Sequence, residues 1–262
     1  MLYVKESWRP ALLEIPPDPW RTCAMELLFK SQRALVKAPK ALDYLTRRGI
    51  PLDAAQEYGL GFVPRNIYQK AAAWGDAERE KIWIPRGIVI PAVRGGELIR
   101  LRVRRSQGEP KYYVVPGSRG YVLIARPNRP RRVKIREIRA WIIVESEFDA
   151  LACAWAQPHA GAIGLGSALM KPDAGIYTHL KGADALLISL DNDRAGEEAA
   201  RWWVKTFSNA RLWPSPLGKD PGEFVSREGT EVLRDWILEG LPPVFSFLDA
   251  RPHADFPHIP AP

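Results

Sequence analysis

The chain has 262 residues, 46% hydrophobic and 26% charged, which suits one large domain or two small ones around a substantial core. Two cysteines, Cys23 and Cys153, are too few and too far apart for a disulfide framework or a zinc site, and the opening residues lack the apolar run of a secretory signal; a reducing, cytoplasmic setting is expected, with no membrane. The net charge of +8 is uneven, residues 1–140 carrying 28 Lys and Arg against 13 Asp and Glu while residues 141–262 carry 10 against 17, a polarity that points to a polyanion on one side and cations on the other.

Residues 1–18 read as an irregular lead ending in Pro16-Pro17-Asp18-Pro19, with Asp18 the expected N-cap and Pro19 the first helical position. Trp20, Cys23, Ala24, Leu27, Leu28, Ser31 and Leu35 recur at helical spacing and predict an amphipathic helix over 19–37. Short helices are expected over Pro39–Arg48 and 52–59. From Ile82 the texture changes to strands, Ile82–Pro85, Ile88–Val93 and Leu98–Arg105, with Arg94-Gly95-Gly96-Glu97 as a hairpin turn. In the third run Arg100, Arg102 and Arg104 alternate with apolar residues, so their guanidinium groups share one sheet face. Strands at Lys111–Val115 and Tyr121–Ile124 precede Arg126–Arg139, a run of seven basic residues and one acid that is either a solvated connector or a phosphate contact.

The second half alternates. Strands are expected at Trp141–Val144, Ala162–Leu165, Ala185–Leu190 and Ala210–Trp213, with helices at Ser146–Ala156, Asp173–Leu180 and Arg194–Phe207 between them. That order predicts an α/β fold, a parallel sheet flanked by helices and preceded by a smaller basic α+β subdomain. The uncharged stretch Ala150–Met170 is broken by Pro158 and three glycines, which makes it helix, turn and strand rather than a membrane span. One more helix is expected near 230–239, and the Pro-rich tail from Pro242 is expected to be disordered. The expected divisions are 1–40, 41–140, 141–225 and 226–262. There is no GxxxxGK[ST] loop, hence no visible ATPase engine.

The chemistry gathers at two strand ends. Leu186–Leu190 runs into Asp191-x-Asp193 and then Arg194-Ala195-Gly196, and Trp141–Val144 runs into Glu145-Ser146-Glu147-Phe148-Asp149. Each has a bland reading: Asp193 as a helix N-cap, Ser146 and Asp149 as a capping box. In a parallel sheet, however, Glu145, Asp149, Asp191 and Asp193 all reach the carboxyl edge, where such sheets bind ligands, and Asp220 follows the next strand. Two carboxylates ~4 Å apart repel by about 4 kcal/mol at an effective dielectric of ~20. A crevice of four or five therefore takes up protons or a cation, and all-oxygen donors suit Mg²⁺ or Mn²⁺. The four histidines share no metal-ligand spacing, and Ser167 lies in no nucleophile elbow. Trp83, Trp202 and Trp203 are candidates for base stacking, although core packing is the commoner role.

These motifs together resemble the Toprim domain of bacterial DnaG-type primases, topoisomerases and certain nucleases. Glu145-Ser146-x-x-Asp149 resembles its Glu-Gly-x-x-Asp motif, Asp191-x-Asp193-x-x-Gly196 its Asp-x-Asp-x-x-Gly motif, Gly164–Leu169 the Gly-Thr-Ala-Leu-type loop between them, and Lys219-Asp220-Pro221 the later Lys-Asp-Pro-Asp element of primases. Tyr44-Leu45-x-x-Arg48-Gly49-Ile50 and Pro110-Lys111-Tyr112 resemble segments of a primase catalytic core, so the likeness spans roughly 40–225. Ser146 stands where the family has Gly, and Gly222 where it has the second acid of the Asp-Pro-Asp element. The zinc-binding domain that precedes such cores has no counterpart here, which implies reliance on a separate zinc-binding protein or a replicative helicase.

The resemblance implies metal-dependent synthesis of short RNA primers on single-stranded DNA from nucleoside triphosphates. Glu145, Asp191 and Asp193 would be catalytic, joined by Asp149 and Asp220 in holding Mg²⁺ or Mn²⁺, with Glu145 as general acid/base. Arg102, Arg104, Lys111, Arg194 and Lys219 would meet nucleotide and nucleic-acid phosphates. The alternatives are a Toprim nuclease or topoisomerase, which cleaves with the same ions, and a DNA-binding replication accessory of impaired activity.

Overall fold

The structure is a computed structural model and describes residues 8–129 and 134–245. The tail histidines His253 and His258, and Arg131 and Arg132 of the basic run, lie outside those residues. Helix α1 (Asp18–Leu35) opens the body, followed by α2 (Pro39–Arg47) and α3 (Leu52–Glu57). The N-cap of α1 is Pro17, not Asp18; Asp18 sits in the first turn, where its carboxylate suits the helix dipole and pairs with Arg21.

Strands β1 (Gly61–Val63), β4 (Gly87–Arg94), β5 (Glu97–Arg104) and β6 (Tyr112–Val114) form an antiparallel sheet in the order β1-β4-β5-β6, and β2 (Ile67–Lys70) pairs with β3 (Lys81–Ile84) in a separate ribbon. Strands β1 and β2 are three and four residues long and carry no clear alternation that would mark them in the sequence. The β4–β5 hairpin turns at Gly95 and Gly96, both at positive φ as the tight connection requires.

The second sheet has the order β11-β10-β8-β9-β7, from β7 (Leu123–Ala125), β8 (Ala140–Val144), β9 (Gly161–Gly164), β10 (Ala185–Ser189) and β11 (Ala210–Leu212). Its pairings are parallel except β7–β9. Thus β7 leaves the basic strands that precede it and closes the edge of the acidic half. Strands β8 and β10 are buried along their whole length, the mark of a sheet covered on both faces. Covering them are α4 (Glu147–Ala156), α5 (Ala174–Lys181), α6 (Arg194–Thr206), α7 (Pro221–Glu228) and α8 (Thr230–Gly240). Helix α7 is additional to the helices expected from the sequence; Pro is well suited to a first helical turn, and the Asp220 side chain caps it by accepting from Glu223 N at 2.6 Å.

The two sheets share a core. Ile88, Ile90 and Ala92 of β4 and Ile99 of β5 pack in one cluster with Ile142, Val144 and Phe148, whereas the opposite face of β4–β5 packs on α1 through Val89, Leu98, Leu101 and Val103. Of the tail, Phe245 is buried against the same core. Among the described residues no helix is long and apolar enough to cross a membrane.

Candidate active site

Register sets the acidic rim. Ser189 pairs with Val144 in the parallel β8–β10 ladder, so Glu145 and Asp191 both emerge from the carboxyl edge within two residues of that pair. Their proximity is electrostatically evident: burial, then the charges of Asp191 and Asp193, push the Glu145 carboxyl above its ordinary range. Burial likewise raises Asp191, against the opposing pull of the Lys219 ammonium. Asp193 goes the other way, lowered by the Gly196 N–H that it accepts at 3.0 Å and by Lys219. Asp193 is therefore the N-cap of α6 and a member of the rim at once. The Asp-x-Asp-x-x-Gly spacing has a steric cause, since a Cβ on Gly196 would strike the Asp191 carbonyl.

Lys219 places a cation between the two aspartates. Its Nζ lies 2.9 Å from Asp191 Oδ2 and 3.1 Å from Asp193 Oδ2. The loop that carries it is tied to the rim: Asn192 N donates to Lys219 O at 2.8 Å, and Asn192 Nδ2 donates to Gly218 O at 3.1 Å. Arg194, in contrast, points into solvent at 93% side-chain exposure and, among the described residues, pairs with Glu198 of its own helix.

Asp149 departs from its expected place on the rim. It is fully buried, and Oδ1 meets Arg48 Nη1 at 3.2 Å while Oδ2 has no hydrogen-bond partner among the described residues. Burial, reinforced by Asp220, pushes its carboxyl to about 8. The reason lies at Gly222, where a Cβ would overlap both Asp149 Oδ1 and Arg48 Nη1. The absent side chain is thus the room in which the Arg48–Asp149 pair forms. Asp220 stays half-buried behind the rim, its Oδ1 engaged in capping α7.

The basic face of β5 is split. Arg100, Arg102 and Arg104 do share a face, but that face looks at the second sheet. Glu147, 1% exposed, accepts from Arg100 Nη2 at 2.9 Å and Arg102 Nη1 at 2.6 Å, and Arg102 Nη2 also donates to Gly166 O at 3.1 Å. The expectation that Arg102 meets phosphate is corrected: its guanidinium is consumed inside the protein, stacked over Tyr112 at 4.7 Å. Arg104 lies over the Tyr44 ring at 5.1 Å and donates to no carboxylate among the described residues, and Lys111 is exposed, so these two remain able to meet a polyanion. Near the other end of the hairpin, buried Arg94 lies 3.8 Å from Asp173, the N-cap of α5.

Trp203 is fully buried, Trp202 packs edge-on against Trp8 with Lys171 over its ring, and Arg105 lies over the Trp83 ring at 5.0 Å.

Among the described residues no three acidic, histidine or cysteine side chains converge closely enough to cage an ion. The arrangement still fits Mg²⁺ or Mn²⁺. Mg²⁺ keeps several waters and is usually held by one or two carboxylates plus substrate phosphates. Asp191 and Asp193 offer two such oxygens to one point, already marked by an ammonium group, with the charge-strained Glu145 beside them.

Residues 142–225 match the family model described as Toprim-like. The DNA primase of Pseudomonas putida is 26% identical over 270 residues, covering 88% of this chain and 39% of that primase. The gene 57 protein of Mycobacterium phage D29 is 30% identical over 147 residues, 55% of this chain and 90% of the phage protein. The RNA polymerase domain of the Mycobacterium tuberculosis primase DnaG superposes with a TM-score of 0.63 at 18% identity, covering 84% of this chain and 82% of that domain. The chain is a Toprim-domain protein built like a primase catalytic core.

Within residues 142–225, Glu145 follows β8, and Asp191 and Asp193 follow β10, at the carboxyl edge of the sheet. The residues missed were those that join it to the basic half. Glu147 lies between two motif positions and reads as an ordinary first-turn acid, and Arg48 was noted only as part of Tyr-Leu-x-x-Arg-Gly-Ile. Neither carries a local sign that its partner stands 45–101 residues away. The chain spans about two fifths of the length of the bacterial primases it matches.

Proposed function

We propose that the protein is a divalent-metal-dependent nucleotidyltransferase that makes short RNA primers on single-stranded DNA in replication, in the cytoplasm. The observation that carries this reading is the rim itself: Glu145, Asp191 and Asp193 at one sheet edge, in a chain whose other half carries Arg104 and the exposed Lys111. In this reading residues 41–140 hold template and nucleotide, residues 141–225 are catalytic, and 1–40 and 226–262 flank them. Asp191 and Asp193 would hold Mg²⁺ or Mn²⁺ with Glu145, while Asp220 stands behind them and the buried Asp149, its carboxyl raised to about 8, braces the rim through Arg48 rather than supplying charge. The bound ion supplies neutralisation of phosphate charge during displacement at the α-phosphate. Glu145 holds the proton that leaves the attacking 3′-hydroxyl, and its raised carboxyl pKa brings it nearer to working pH. Arg104, Lys111 and Arg194 meet phosphates, which positions the strand without reading its sequence. A replicative helicase or a separate zinc-binding protein would direct the enzyme to its template.

The test is incubation with single-stranded DNA, labelled ribonucleoside triphosphates and Mg²⁺ or Mn²⁺. Template-dependent RNA products are expected. Shortened DNA would instead indicate a Toprim nuclease, and a gel shift with no product a binding accessory.

A further inference from the structure

The Lys219 ammonium stands at the point toward which both aspartates of the rim turn, 2.9 Å from one and 3.1 Å from the other. An ion held by the same two oxygens would lie about 2.0–2.1 Å from each, inside the space the ammonium now fills. Two cations cannot share that space. We propose that Lys219 is a resident counter-cation, which neutralises the Asp191–Asp193 pair while no divalent ion is bound and withdraws when one enters. The inference rests on the reading that this pair binds the ion, and adds that ion entry and the Lys219 contact exclude each other.

Two features make Lys219 suited to this. Its backbone is fixed, because Lys219 O accepts from Asn192 N at 2.8 Å and Lys219 N donates to Glu223 Oε2 at 2.8 Å. The preceding Gly218 is at φ +79°, where a Cβ would also crowd Glu223. The side chain, in contrast, is 52% exposed and ends in a compact point charge on a flexible stem, free to swing outward without disturbing the loop. The buried pairs of the protein lack that freedom: Arg100 and Glu147 are closed from water on all sides. The withdrawn ammonium would stay beside the rim, among the incoming phosphates that the ion also attracts.

The consequence has an unusual sign. Removing a lysine that merely supports the loop would weaken ion binding, and removing one that touches only nucleotide would leave it unchanged. Removing a competing cation strengthens it. The experiment is a calorimetric Mn²⁺ titration of the full chain, without nucleic acid or nucleotide, on wild type, Lys219→Met and Lys219→Gln, with thermal unfolding measured before and after addition of the ion. Both variants are expected to bind Mn²⁺ on the order of tenfold more tightly. Their unfolding temperature without metal should fall below that of wild type and be restored by saturating Mn²⁺. If a variant is unfolded without metal, its refolding on Mn²⁺ addition supports the proposal, and failure to refold overturns it. Equal or weaker binding in a folded variant also overturns it. Absence of Mn²⁺ binding in every form would remove the ion-binding reading itself.

Discussion

The two sheets handle charge in opposite ways. In the second sheet the central strands β8 and β10 are buried and carry no charge, and the acids Glu145, Asp191 and Asp193 stand at their carboxyl edge, where loops and helix starts collect them. In the antiparallel sheet the charge is carried within a strand, on β5, and the face that bears it packs against the other half of the molecule. An arginine on β5 is therefore a potential ligand only toward the strand's open end. Position along the strand, rather than residue type, separates Arg104 from Arg100 and Arg102.

Glu147→Ala presses hardest on that distinction. It would leave two guanidinium groups buried without their carboxylate, and a loss of about 3–5 kcal/mol in unfolding free energy is expected from urea titration. Replacing the whole triad, Arg100→Met with Glu147→Leu and Arg102→Met, should restore most of that loss if the cluster is an internal rivet. Continued weakness would mean the charges serve another purpose. Gly222→Asp would force a side chain into the space of Asp149 and Arg48, with an expected cost of about 1–3 kcal/mol. An unchanged unfolding curve would show that this pair yields easily.

A smaller effect concerns pH. Asp149 binds its proton more tightly folded than unfolded, so its contribution to stability is complete below the unfolded carboxyl range and fades as pH rises toward about 8. Glu145 and Asp191 are shifted in the same direction. Asp149→Asn should flatten the decline of unfolding temperature between pH 4 and 8; an unaltered slope would place the titration elsewhere. Smallest is the effect of single cations on DNA affinity. Arg104→Ala and Lys111→Ala should each lower the salt slope of single-strand binding by about one. Arg102→Ala should leave that slope in place while costing stability, and a slope reduced as much as in Arg104→Ala would show that Arg102 reaches phosphate after all.

How much of this was legible follows from where the information lies. The alternation of β8 to β11 with α4 to α6 is written locally, in apolar runs and punctuation, and so is the rim, because acids directly after a buried strand can go only to its edge. The short strands β1 and β2 and the helix α7 carry weak local signals. The Glu147 cluster and the Arg48–Asp149 pair are legible from neither end, since each depends on how the halves pack. Alternation put the three arginines of β5 on one face correctly; it could not say that the face was an interface.

The division of labour between rim and basic sheet is tested most directly on one pair of variants, Asp191→Asn and Asp193→Asn, assayed side by side for primer synthesis and for single-stranded DNA binding. Synthesis should vanish in both while DNA affinity stays within about twofold of wild type, since phosphate contacts dominate it. RNA products from either variant, or synthesis and binding lost together in a protein that remains folded, would contradict the account.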